Sequence, residues 1–104
     1  MELYERIIAA HTDVTSAVSH SARIKSNRYF VWQEDGKNDL EADGKHTESC
    51  ITGYTDLFTK QEFDPWIDEL GESFDKYGIA WSLRTIQYEE DTGFYHYTWD
   101  WEVA

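Results

Sequence analysis

Several absences narrow what this chain can be. It contains a single cysteine, Cys50, so no disulfide can form within one copy, a usage that fits a reducing compartment. No apolar run approaches the ~20 residues that cross a bilayer as a helix. The opening stretch, MELYERIIAAH, sets Glu2, Glu5 and Arg6 into a broken apolar pattern. It lacks the basic start and apolar core of a signal peptide, so we expect a soluble protein not exported by a cleaved signal. Positive charge is also scarce: nine Lys and Arg face 21 Asp and Glu, a formal net charge of -12. A protein that holds nucleic acid passively neutralises phosphates with excess cations, so direct sequence-specific DNA or RNA binding is not expected. Binding to an anionic membrane is disfavoured for the same reason. The acidity keeps a small protein soluble. It would also suit a basic protein partner, or a surface that nucleic acid must pass without adhering.

What is present suits one domain, residues 1–104, with enough apolar content for a core. Leu3, Ile7, Ile8 and Val14 recur at helical spacings, which predicts a first helix from Glu2 to about His11. Residues 14–24 fit either a strand or a loop. RYFVWQE (28–34) is dense in aromatic and β-branched residues and reads as a strand, with Tyr29, Val31 and Gln33 facing one way and Phe30, Trp32 and Glu34 the other. DGKNDLEADGKH (35–46) is polar, acidic and rich in turn residues, and reads as a long, mobile hairpin loop. TESCITGYTDLF (47–58) reads as the returning strand, with Gly53 marking a bulge or a close backbone approach. Asp64 and Pro65 then form the start signal of a second helix, Ile67, Leu70, Phe74 and Tyr77 its apolar stripe, and Gly78 its stop. Residues 79–89 form a third strand whose alternation shifts near Thr85, predicting a bulge. Gly93 ends a tight connection into a last strand. The expected fold is α+β, a mainly antiparallel sheet of four or five strands packed on two helices in the order α-β-β-α-β-β.

No constellation in the sequence carries a reaction. His11, His20, His46 and His96 are scattered without metal-site spacing, and read as ordinary surface or half-buried residues. The acids of 34–43 lack the spacing and glycine of a calcium loop. No nucleophile elbow, phosphate-binding loop or dinucleotide fingerprint occurs. We therefore expect no catalytic residues, no metal and no cofactor.

The aromatics stand out, above all in TGFYHYTWDWEVA (92–104). Its alternation puts Tyr95, Tyr97, Trp99, Trp101 and Val103 on one sheet face and His96, Thr98, Asp100 and Glu102 on the other. Packing beneath the helices accounts for the first face. A platform stacking single-stranded nucleic acid would want Lys and Arg beside it, whereas Asp100 and Glu102 are the neighbours. A sugar platform and an interface between copies remain open, since Trp and Tyr anchor interfaces.

RYFVWQEDG (28–36), TGYTDLFTK (52–60), EFDPWIDELGESFDKYGI (62–79) and IQYEEDTGFYHYTWDWEVA (86–104) together resemble small tail-completion proteins of bacteriophages and prophages, the tail-terminator and head–tail joining class of phages of Gram-positive bacteria. The resemblance implies a non-enzymatic structural protein of the virion, assembled in the host cytoplasm. Copies would form a ring, a hexamer in the assembled tail, that caps the tail tube and meets the head connector. An acidic bore would let DNA pass. The resemblance brings no catalytic motif. On physical grounds, subunit contacts are expected at Phe94, His96, Thr98, Asp100, Glu102, Trp99 and Trp101. Axial contacts are expected from the loop residues Asp35, Lys37, Asn38, Asp39, Glu41, Asp43 and Lys45. The readings from other classes are an acidic DNA mimic that inhibits a nucleic-acid enzyme, and a small carbohydrate- or ligand-binding module.

Overall fold

Two helices lie on one face of a five-stranded sheet, an α+β arrangement. The structure, a computed structural model, describes residues 1–42 and 45–104, and the side chains of 37–49 lie outside the described residues. Helix α1 spans Leu3–Thr12, and strand β1 is the short Val18–His20. Strands β2 (Arg28–Ala42) and β3 (Lys45–Thr59) form a hairpin, helix α2 spans Trp66–Lys76, and β4 (Ala80–Glu89) and β5 (Phe94–Val103) form a second hairpin. The spatial order is β1-β2-β3-β5-β4. Every pairing is antiparallel except that of β1 with β2. The stretch that reads ambiguously, 14–24, holds this short parallel strand and the connection that follows it.

Both helices start where acids and caps favour it. The Glu2 carboxylate accepts the Glu5 N–H at 2.8 Å, satisfying a donor that the first turn leaves unpaired. Asp64 does the same for α2, accepting the Trp66 N–H at 2.9 Å. At the other end Gly78 takes a φ of 68° and the Ile79 N–H returns to the Phe74 carbonyl at 2.9 Å, a turn that suits glycine.

The core forms where the helices meet the alternating strand faces. Phe30, Trp32, Leu57, Trp99, Trp101 and Val103 come from the sheet, Ile7 and Ala10 from α1, and Leu70 and Phe74 from α2. The far face of the sheet carries a smaller cluster of Tyr29, Val31 and Phe58. Ile8 shares the helical spacing of α1 but is exposed. Gly53 is a close approach: a methyl group there would lie 2.5 Å from both the Gln33 carbonyl oxygen and Trp101 Cζ2. The bulge expected near Thr85 is the extra residue Arg84, at the register shift between Leu83 and Thr85.

Two expectations need correction. Residues 35–46 do not form a loop throughout, because β2 runs on to Ala42 and β3 begins at Lys45. Asp35, which reads as the start of a turn, is instead the extra residue at the shift between Glu34 and Gly36, so the Asp-Gly pair makes a bulge. Nor is every histidine at or near the surface, since His11 is fully buried. Its Nδ1 lies 2.7 Å from the Ile7 carbonyl and its Nε2 2.8 Å from Thr55 Oγ1. That hydroxyl also accepts the Trp101 Nε1–H at 2.9 Å.

A second polar knot joins β2 to the start of α2. The Asp64 carboxylate is fully buried and receives Arg28 Nε at 2.8 Å, Arg28 Nη2 at 2.5 Å and the Thr59 hydroxyl at 2.8 Å. The guanidinium lies 3.7 Å over the Trp66 ring. Burial alone would raise the carboxyl's pKa, but these donors outweigh it and hold Asp64 below the usual carboxylate range. Arg28→Ala leaves that charge buried with fewer donors. We expect a loss of about 2 kcal/mol, read from urea unfolding at neutral pH, below the value for a fully buried pair because Arg28 is partly exposed.

Candidate functional site

The last strand, β5, carries most of the residues expected at a subunit interface. It is not an edge, however, because it lies between β3 and β4. Trp99 and Trp101 are 0% and 3% exposed and belong to the core. The other five lie on the far face, and each has partners within the chain. His96 Nε2 is 2.9 Å from Asp56 Oδ1, and the Thr98 hydroxyl donates to the same oxygen at 2.7 Å. Burial would raise the Asp56 pKa, but bonds from His96 and Thr98 outweigh it and hold it low. Asp100 faces Arg84 Nε at 3.4 Å, and the Cys50 thiol donates to Glu102 at 2.7 Å. Phe94 meets the edge of Phe58 and lies under the Lys60 ammonium.

The His96–Asp56–Thr98 group has the residue types of a hydrolytic triad without its geometry. Both His96 and Thr98 bond one carboxylate oxygen, so the imidazole does not stand between hydroxyl and carboxylate as a base must. Thr98 is itself buried. Among the described residues no group of three or more His, Cys, Asp or Glu could hold a metal ion, and no helix is long and apolar enough to cross a membrane.

The sheet has two edge strands, the three-residue β1 and the longer β4. Opposite residues on paired strands share a face, so Trp81, Leu83, Ile86 and Tyr88 follow Trp101, Trp99, Tyr97 and Tyr95 onto the helix side. The bulge at Arg84 makes this possible. Without the extra residue, Ile86 and Tyr88 would turn to the far face. The four side chains are 38%, 37%, 60% and 54% exposed, because α2 covers only the inner part of this face. An apolar stripe thus runs along a strand whose outer backbone groups have no strand beside them among the described residues. The alternation of 79–89 is legible in the sequence, but which hairpin strand lies outermost is settled by long-range pairing.

The second exposed feature is the end of the β2–β3 hairpin. β5 pairs with β3 only from Ile51 to Thr59, and β1 with β2 only from Phe30 to Trp32. Residues 38–42 and 45–50 therefore pair with each other alone among the described residues. This two-stranded ribbon projects roughly 20 Å beyond the sheet at ~3.3 Å per residue. It gives the molecule a long axis of 53 Å against 23 and 21 Å. It carries the residues expected to make axial contacts. Asp35 is exposed at its base and accepts the Thr52 hydroxyl at 2.8 Å. Lys37, Asn38, Asp39, Glu41 and Lys45 lie in the paired backbone with side chains outside the described residues, and Asp43 lies outside them altogether.

No protein-family model matches the chain, and a search of curated proteins gives no match.

Proposed function

We propose that this chain is a non-enzymatic structural protein that works by assembling with other chains, and that it serves a bacteriophage or prophage as a tail-terminator or head–tail joining protein. Copies would form a ring, hexameric in the assembled virion tail, capping the tail tube and meeting the head connector. The observation that carries the assembly reading is the open β4 edge, where Trp81, Leu83, Ile86 and Tyr88 lie exposed in a row. A contiguous apolar stripe beside unpaired backbone groups is a surface for another protein. The projecting ribbon adds a second, axial contact element. The sequence resemblance supplies the phage assignment.

Negative-stain microscopy of the purified chain, alone and mixed with tail tubes, tests this. We expect rings in one preparation or caps at tube ends in the other. Monomers that leave tube ends bare at protein excess would refute it. The DNA-mimic alternative draws on Asp68, Glu72 and Asp75, which share one exposed face of α2. That row spans about 10 Å, which is short for a copy of a phosphate backbone.

A further inference from the structure

Between α2 and the open strand lies a groove of about 480 Å³. Its floor is apolar, with Trp81 seated on Gly71 so closely that a methyl group there would lie 2.8 Å from the indole. Asp75 holds that indole through Nε1 at 2.8 Å. The rim is acidic and exposed, formed by Asp68, Glu72 and Asp75. The groove therefore suits a segment that is apolar at its centre and positively charged beside it.

This chain contains such a segment. Residues 14–33 include no Asp or Glu, although the chain as a whole carries a net charge of -12. Arg23, Lys25 and Arg28 fall within this acid-free stretch. Arg28 is occupied by Asp64. Arg23 bonds the Tyr29 hydroxyl at 3.1 Å and lies over Phe58, and neither it nor Lys25 forms an ion pair among the described residues. Between them Ile24 is 38% exposed. The segment 21–27 returns from β1 to β2 across the far side of the sheet, over the Phe58 cluster. The groove is on the helix side, so one copy cannot bring its own two surfaces together.

We propose that residues 21–27 of one copy dock in the α2–β4 groove of the next, with Ile24 against Trp81 and Leu83, and Arg23 and Lys25 against the acidic rim. The proposal rests on the self-assembly reading above and identifies its interface. Such a contact is head-to-tail, the type that closes into rings or continues as filaments. Symmetric pairing of two β4 edges would set two acidic rims side by side, a juxtaposition that like charge opposes.

The test is zero-length carbodiimide cross-linking of an equal mixture of ¹⁴N- and ¹⁵N-labelled protein at low salt, read by mass spectrometry. Sedimentation velocity is run alongside. We expect mixed-isotope cross-links joining Lys25 to Glu72, Asp68 or Asp75, falling about tenfold in ~0.5 M salt as screening shortens the charge attraction. Lys25→Glu and Glu72→Lys should each reduce association about tenfold, and the double variant should restore it. Both side chains are exposed, and circular dichroism verifies that each variant folds. A chain that stays monomeric without mixed cross-links overturns the proposal. So does association that ignores both charge reversals, or a monomer whose groove is filled only by a different, basic protein. Rings that persist unchanged in Lys25→Glu would sink this interface and leave the ring reading standing. Open filaments bearing the Lys25–Glu72 cross-link would do the reverse.

Discussion

Acidification from pH 7 to pH 4 should remove about 3 kcal/mol of stability through His11 alone. The ring has no exposure and packs against Phe30, Trp32 and Phe74. The Ile7 carbonyl can only accept, so Nδ1 carries the proton, and Nε2 must then accept from Thr55. Thr55 in turn accepts from Trp101, leaving every polar atom of the chain of bonds satisfied with the imidazole neutral. Adding a proton to Nε2 would place a charge among aromatic rings and leave the Thr55 hydroxyl proton without its acceptor. Burial accordingly lowers the His11 pKa to about 4. Below pH ~6.5 the unfolded chain takes up a proton there that the folded chain refuses. Stability is therefore complete above that value and is lost progressively as the pH falls toward 4. Asp56 and Asp64, held low, lose their contributions only in the carboxylate range and below. Urea titrations across this range, followed by tryptophan emission, should show His11→Gln less stable than the parent at pH 7 and the difference shrinking toward pH 4. Parallel curves for the two proteins would rule out a buried neutral ring.

Gly53→Ala should cost about 3 kcal/mol, as much as many large core truncations. The reason is overcrowding. The added methyl would sit 2.5 Å from the Gln33 carbonyl oxygen, which belongs to the paired backbone of β2, and from the Trp101 indole. Backbone cannot turn aside as a flexible side chain can. The indole is also held, through Nε1, by the Thr55 hydroxyl. Relief would require the two strands to part or the Thr55–His11 chain of bonds to break. Equilibrium denaturation gives the number, and a loss below about 1 kcal/mol would mean that both the indole and the Gln33 carbonyl give way freely. The same methyl at Gly93 would meet open space apart from the Lys60 side chain, yet φ there is 75°, so its cost would come from backbone strain instead.

Which parts of this architecture can be read from the residues follows from how local their causes are. Helix α2 is legible because its cap, stripe and stop all lie within 64–78. β5 is legible because aromatic alternation with period two admits one arrangement. The bulge at Arg84 shows as a break in the alternation of β4. The ribbon is not legible, because its polar, turn-forming residues are held in register by their partners across the hairpin, and Asp35–Gly36 serves a bulge where a turn is the usual use. His11 left a signal in its spacing of four from Ile7, on the inward stripe of α1. What the spacing cannot show is Thr55, a partner 44 positions away. The open edge is hidden for the same reason, since both strands of the second hairpin alternate and only the pairing of β5 with β3 puts β4 outside.

That strand order also sets a timetable for synthesis. β5 follows β4 in the chain, yet it fills the place between β3 and β4. As the chain leaves the ribosome, the β2–β3 hairpin and α2 can form from neighbouring residues, but β4 has no strand to join. Arg6 of α1 must wait as well, since its guanidinium bonds the carbonyls of Tyr77, Gly78 and Ala104. A nascent chain halted before residue 94 would hold β4 unpaired and the inner edge of β3 bare. Consolidation of the sheet is thus a late, concerted event dominated by distant contacts, and aggregation competes with it until β5 slots into place.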